Sequence, residues 1–171
     1  MAGPASTESG KCLNLCNTKF IGMNIAIGCD PNAATLKDAL IKHMQELGHK
    51  VVDYGSNDPV YANTALDVAK AVAAGKHVRG ILLCGTGLGM SLAANKVFGA
   101  YAVPCSDPYS IERSIKSNNV NILTLGAKVV NEELAKSLVT LWLSLTYEPG
   151  GSSEPKIQRI YEIEKQFMKA K

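Results

Sequence analysis

The run Ile81-Leu82-Leu83-Cys84-Gly85-Thr86-Gly87-Leu88-Gly89-Met90-Ser91 carries an apolar, strand-like stretch through three glycines into a helix-forming segment. Glycine lets a backbone turn sharply and lets a ligand approach its amides. The start of the following helix adds unpaired N–H groups and a partial positive charge. Such a concavity binds an anion, whether a phosphate or the oxyanion of a reacting carbonyl. Cys84 stands at its rim. Beside a helix start a thiol is drawn toward the thiolate, and a thiolate facing a carbon acid is a general base. From position alone, a small buried cysteine that only fills the core is an equal reading.

The glycine spacing excludes one class of ligand. Gly85-x-Gly87-x-Gly89 falls one residue short of the dinucleotide fingerprint, follows the third strand signal and not the first, and has no lysine of the phosphate-loop type after it.

Five cysteines are present, at 12, 16, 29, 84 and 105. The number is odd and residues 1–22 lack the apolar stretch of a secretory leader, so reduced thiols in the cytoplasm are expected. Cys12 and Cys16 are spaced like half a zinc site, but no second ligand pair follows.

The elements that must hold these residues follow from the pattern. The chain has 171 residues, 46% hydrophobic and 19% charged, which suits one packed domain without disulfides. No apolar run reaches the ~20 residues of a membrane span. A net charge of +3 with only three arginines and no basic block argues against nucleic acid and suits a small anionic substrate. Residues 1–22 read as a small, polar extension, and 23–171 as the folded part. Strand signals at 24–28, 50–54, 80–84, 100–104 and 120–125 alternate with helix signals at 34–47, 62–74, 88–97, 109–117 and 132–145. That alternation predicts a parallel five-stranded α/β sheet. A last helix, about 156–168, has one apolar stripe, for packing on its own domain or across a partner subunit. In such a sheet ligands sit beyond the carboxyl ends of the strands. Those ends carry Cys29-Asp30-Pro31-Asn32, Asp53-Tyr54-Gly55, the Cys84 loop, Ser106-Asp107 and Gly126-Ala127. His43, His49 and His77 fall away from them and read as surface residues.

Three segments together resemble the type B ribose-5-phosphate isomerases and the related galactose-6-phosphate isomerase subunits. They are Asn24-Ile25-Ala26-Ile27-Gly28-Cys29-Asp30, the run from Ile81 to Asn95-Lys96-Val97, and Cys105-Ser106-Asp107-Pro108-Tyr109-Ser110. The resemblance implies a Rossmann-like αβα sandwich, a homodimer (singly or as a pair of dimers) with sites at the subunit interface, and aldose–ketose isomerisation of a sugar phosphate through a cis-enediolate. It implies no metal and no cofactor. By the same resemblance Cys84 moves the C1/C2 proton, and Thr86 assists transfer between the oxygens. The amides of Gly85, Gly87 and Gly89, with Asn118, hold the oxyanion. Asp30 binds sugar hydroxyls and Arg159 reaches the phosphate.

The departures from that pattern bear on substrate. Asp30 is followed by Pro31 where many members have histidine. The pair Ser117-Asn118 stands where many have His-Asn, the histidine that opens the sugar ring. Gly150-Gly151-Ser152-Ser153 replaces a Gly-Gly-Arg-His stretch, leaving Lys156 and Arg113 as candidate phosphate cations. Arg113 and Ser117, four apart, share one helical face. The segments around Tyr61-Ala62-Asn63 and Glu112 to Asn119 resemble a branch that includes tetrulose-phosphate isomerases. Ribose 5-phosphate is the substrate the family implies by default. A tetrose 4-phosphate is the alternative, and a sugar-phosphate binder without catalysis is a third reading.

Overall fold

The computed structural model describes residues 22–168. The expectations for Cys12, Cys16 and the extension 1–22, Gly22 apart, lie outside that range.

Three strands are mostly apolar: β1 (Asn24–Cys29), β3 (Arg79–Cys84) and β5 (Ile122–Gly126). Nearly every residue in them is buried, as a parallel strand covered on both faces requires. The shorter β2 (Lys50–Asp53) and β4 (Ala102–Pro104) form the edges. All pairings are parallel, in the order β2-β1-β3-β5-β4. Helices α1 (Ala34–Glu46), α4 (Pro108–Lys116) and α5 (Glu132–Ser144) cover one face, with Ile27, Ile81, Leu83, Leu123 and Trp142 in their core. Helices α2 (Tyr61–Ala73) and α3 (Leu88–Ala94) cover the other, around Ala26, Val68, Leu82, Met90 and Ile122. The result is the expected Rossmann-like αβα sandwich.

From β1 the chain winds outward to β2, then returns to place β3 on the opposite side of β1. The crevice at that reversal, beyond the carboxyl ends of β1 and β3, is where an open α/β sheet takes its ligand. Cys29-Asp30 and Cys84 are the residues these two strands deliver to it.

Side chains set several boundaries. Helix α3 stops three residues short of the predicted 97 because Asn95 turns to the sheet edge. Its amide donates to Ala102 O (2.7 Å) and accepts from Ala102 N (2.8 Å), so the outer rim of β4 is not left as an open strand edge. Strand β4 begins two residues later than predicted, since the N–H of Tyr101 is taken by the Asn121 side chain at 2.8 Å. Helix α1 ends in a Schellman turn. Gly48 (φ 86°) donates to Gln45 O and His49 to Met44 O. That second bond folds His49 inward, so His49 is buried, contrary to the surface expectation. His77 is buried as well, with Nε2 2.9 Å from the Tyr54 hydroxyl. Burial, then Arg79 for His49 and Lys50 and Lys76 for His77, pushes both imidazoles below their usual range.

The last helix, α6 (Glu154–Phe167), is seated on its own chain. Glu164 is buried and accepts from Gly99 N (2.7 Å) and the Tyr101 hydroxyl (2.6 Å). Tyr161 accepts from Asn119 at 3.0 Å, and Ile157 is fully covered. Ile160, Ile163 and Phe167 form an exposed stripe along the outer face.

Candidate functional site

Cys84 ends β3, and Gly85-Thr86-Gly87 forms the turn into α3. Gly87 is the N-cap of α3 at φ 80°, a left-handed conformation that a side chain would disfavour. Its N–H points back to the Cys84 sulfur, 3.1 Å away. The thiol is 5% exposed and shares the α2/α3 core, yet its sulfur faces the loop amide. Among the described residues, Cys29 and Cys105 are the other free thiols, and burial pushes each up to about 11. Thr86 is exposed at the top of the loop, with Oγ1 accepting from Leu88 N at 3.4 Å.

Neighbouring strands close the loop in. Asp30 is buried, donates its backbone N–H to Leu83 O (3.1 Å), and accepts from Asn32 N on Oδ1 (2.9 Å). The backbone bond sets Asp30 beside the end of β3, and its carboxylate caps the turn Pro31–Ala33. The buried Lys37 ammonium pairs with Asp53 at 2.6 Å and ties α1 to the end of β2. From β5, Ala127 N donates to Cys84 O (2.8 Å) and Lys128 N to Gly85 O (3.0 Å).

Two contributors were given no place at the loop by the sequence: Lys128, and Tyr61, which entered only through the resemblance of Tyr61-Ala62-Asn63 to one branch of the family. The Lys128 side-chain stem lies 3.7 Å from the position a Gly85 Cβ would take, which brings a cation to the nest. The Tyr61 ring lies over Gly89, 2.5 Å from where its Cβ would be. For Lys128 the available signal was its place just after Gly126-Ala127, at a strand's carboxyl end.

Gly126 has a related role. A Cβ there would come within 2.7 Å of the Thr86 backbone. Gly126→Ala is expected to push the loop off β5 and cost about 1–3 kcal/mol, as overpacking does. A melting temperature several degrees below wild type, read by thermal unfolding, is the expected result. An unchanged value would show that the loop has room to move.

The remaining predicted residues are elsewhere. Asn118 follows α4 and leads into the start of β5, whereas Cys84 is in register with Gly126 at its end. Four residue-to-residue steps of strand take the chain from Ile122 to Gly126, roughly 13 Å at ~3.3 Å per step. Asn118 lines a cavity of about 270 Å³ with Asn95, Tyr101, Ile157, Ile160 and Tyr161, at the amino end of the sheet. Arg113, near the end of α4, accepts on its backbone oxygen from the Asn118 side-chain amide at 3.2 Å. Its guanidinium bonds Glu112 (2.7 Å) and Ser117 Oγ (3.4 Å). Lys156 and Arg159 are exposed on α6, Arg159 pairing with Glu162 at 2.9 Å. One chain thus brings Cys84, Thr86, the loop glycines and Asp30 together, and leaves Asn118, Arg113, Lys156 and Arg159 at the opposite end.

Among the described residues no helix is long and apolar enough to cross a membrane. A family model described as Ribose/Galactose Isomerase matches residues 25–160. The D-erythrulose-4-phosphate isomerase of Pectobacterium atrosepticum is 45% identical over 148 residues, covering 84% of this chain and 97% of that one. Ribose-5-phosphate isomerase B of Escherichia coli is 45% identical over 143 residues, covering 82% and 95%. Among solved structures, ribose-5-phosphate isomerase B of Clostridium thermocellum superposes with a TM-score of 0.80 at 39% identity, covering 85% and 99%. A glycine loop holding a thiol at the sheet reversal, on a fold and sequence shared with these enzymes over more than four-fifths of the chain, places the chain in the ribose/galactose isomerase family of sugar-phosphate aldose–ketose isomerases.

Proposed function

We propose that the substrate pair is a tetrose 4-phosphate aldose and its ketose, erythrulose 4-phosphate, handled in a cytoplasmic homodimer whose sites draw on both copies. Ser117 carries this reading. A pentose 5-phosphate aldose closes into a furanose through its C4 oxygen, and its isomerase gains from an acid–base group that opens the ring. In a tetrose 4-phosphate that oxygen is esterified, so there is no such ring to open. Serine bonded to Arg113, where the family pattern has histidine, removes a group this substrate does not need.

In the reaction, the Cys84 thiolate takes the proton from the carbon beside the carbonyl. The carbonyl oxygen gains the charge, and the loop amides, with Asn118 of a second copy, hold it as the enediolate forms. The Thr86 hydroxyl passes a proton between the two oxygens. The Cys84 thiol returns its proton to the neighbouring carbon, which completes the exchange of aldose and ketose. Asp30 accepts hydrogen bonds from the sugar hydroxyls. Lys128 on the near side, and Arg113, Lys156 and Arg159 from the second copy, supply cations for the phosphate.

Two features support a site shared between copies. The proposed groups lie at opposite ends of one chain's sheet, and the helix carrying Lys156 and Arg159 leaves an apolar stripe uncovered. A pentose 5-phosphate substrate is the second reading, favoured by the equal identity to the Escherichia coli enzyme. Binding without catalysis is disfavoured by Cys84 and the amide donor on its sulfur.

Turnover of D-erythrulose 4-phosphate and D-ribulose 5-phosphate, compared as kcat/KM, tests the assignment. A preference for the tetrulose of about tenfold or more is expected, roughly the worth of one misplaced polar group. A clear preference for the pentulose would overturn it.

A further inference from the structure

Thr124 is fully buried in the middle of β5, paired with Leu82 on one side and Pro104 on the other. Its neighbours on that face, Leu82 and Ile122, are apolar. A buried hydroxyl costs stability unless it is bonded, and that of Thr124 donates to Gly87 O at 2.9 Å. The same carbonyl already accepts Ser91 N (3.1 Å), the first bond of α3. The threonine is therefore a second donor that the helix does not require.

Gly87 joins two peptide planes. The plane on its carboxyl side holds the carbonyl that Thr124 grips. The plane on its amino side holds the N–H aimed at the Cys84 sulfur. Between them lies a residue with no Cβ, in a left-handed conformation, free to rotate unless held. Fixing the carbonyl limits that rotation and keeps the N–H on the sulfur.

We propose that Thr124 is a positioning residue, holding Gly87 so that its amide stabilises the Cys84 thiolate while a substrate carbon is deprotonated. The catalytic part rests on the isomerase chemistry proposed above; the hold on Gly87 does not.

Thr124→Val keeps the shape and removes the hydroxyl. Deuterium exchange of the Gly87 amide, followed by NMR, is expected to speed up about tenfold, the worth of one buried hydrogen bond. In turnover assays kcat is expected to fall about tenfold with KM within about twofold, and the acid limb of the kcat–pH profile to move up by about one pH unit. Thr124→Ser should restore all three. Should the valine variant not fold, Thr124→Ser against Thr124→Ala makes the same comparison, since these differ by the hydroxyl alone. Unchanged Gly87 exchange in the variants lacking the hydroxyl would overturn the hold on the loop. Faster exchange with an unchanged kcat and pH profile would overturn its role in positioning. A wild-type protein that isomerises no sugar phosphate would instead sink the proposed function, and the exchange measurement would still decide whether Thr124 holds Gly87.

Discussion

Cys84→Ala is expected to lower kcat by about a thousandfold, within the ~10²–10⁴ range of a positioned acid–base group, while KM changes little. The substitution removes one sulfur atom from the end of β3 and leaves the Gly85-Thr86-Gly87 turn in place. That turn is held by bonds that do not involve the sulfur: Ala127 N to Cys84 O, Lys128 N to Gly85 O and the Thr124 hydroxyl to Gly87 O. The anion nest therefore survives and continues to bind sugar phosphate. What is lost is the group that moves hydrogen between the two carbons. Steady-state kinetics separates these effects, and NMR in heavy water checks the chemistry directly. Wild type should wash deuterium into the substrate beside its carbonyl, and the alanine variant should not. Full turnover in Cys84→Ala would refute the assignment of this thiol.

The second large effect concerns assembly. Asn118→Ala should cost about a hundredfold or more in kcat, as loss of one oxyanion donor does. If sites are shared, a chain lacking Cys84 can still lend Asn118 to a partner that has the thiol. When the two inactive variants are produced together, random pairing makes about half the dimers mixed. Each mixed dimer has one intact site in two, so activity should recover to about a quarter of wild type. Differently tagged subunits, purified through both tags, allow the mixed species to be assayed alone. Mixed dimers as inactive as either parent would mean that Asn118 acts within its own chain. The expectation rests on a distance: in one chain the strand β5 separates Asn118 from the residues beside Cys84.

The cysteine loop was legible because it is local. An apolar strand, three glycines and a helix start follow one another within eleven residues, and their backbone needs are set by immediate neighbours. The same holds for the alternation of strands and helices. The end of α3 and the start of β4 differ from the expected positions because Asn95 and Asn121 bond across the chain, and periodicity carries no record of those partners. His49 and His77 were misassigned for the same kind of reason. Their polarity suggests the surface, but a Schellman turn and a tyrosine drew them inside.

By itself, then, the amino-acid order determined the layered α/β class, the turn that presents Cys84 and the kind of anion it suits. All of these arise from periodicity and turn chemistry acting over a few residues. Only the tertiary structure decided which distant side chains share that turn. Strand order brings Lys128 to Gly85, Tyr61 over Gly89 and Thr124 beneath Gly87, and sends Asn118 and α6 to the other end. Strand order follows from how the apolar faces pack against one another, a property of the whole core that no short segment encodes.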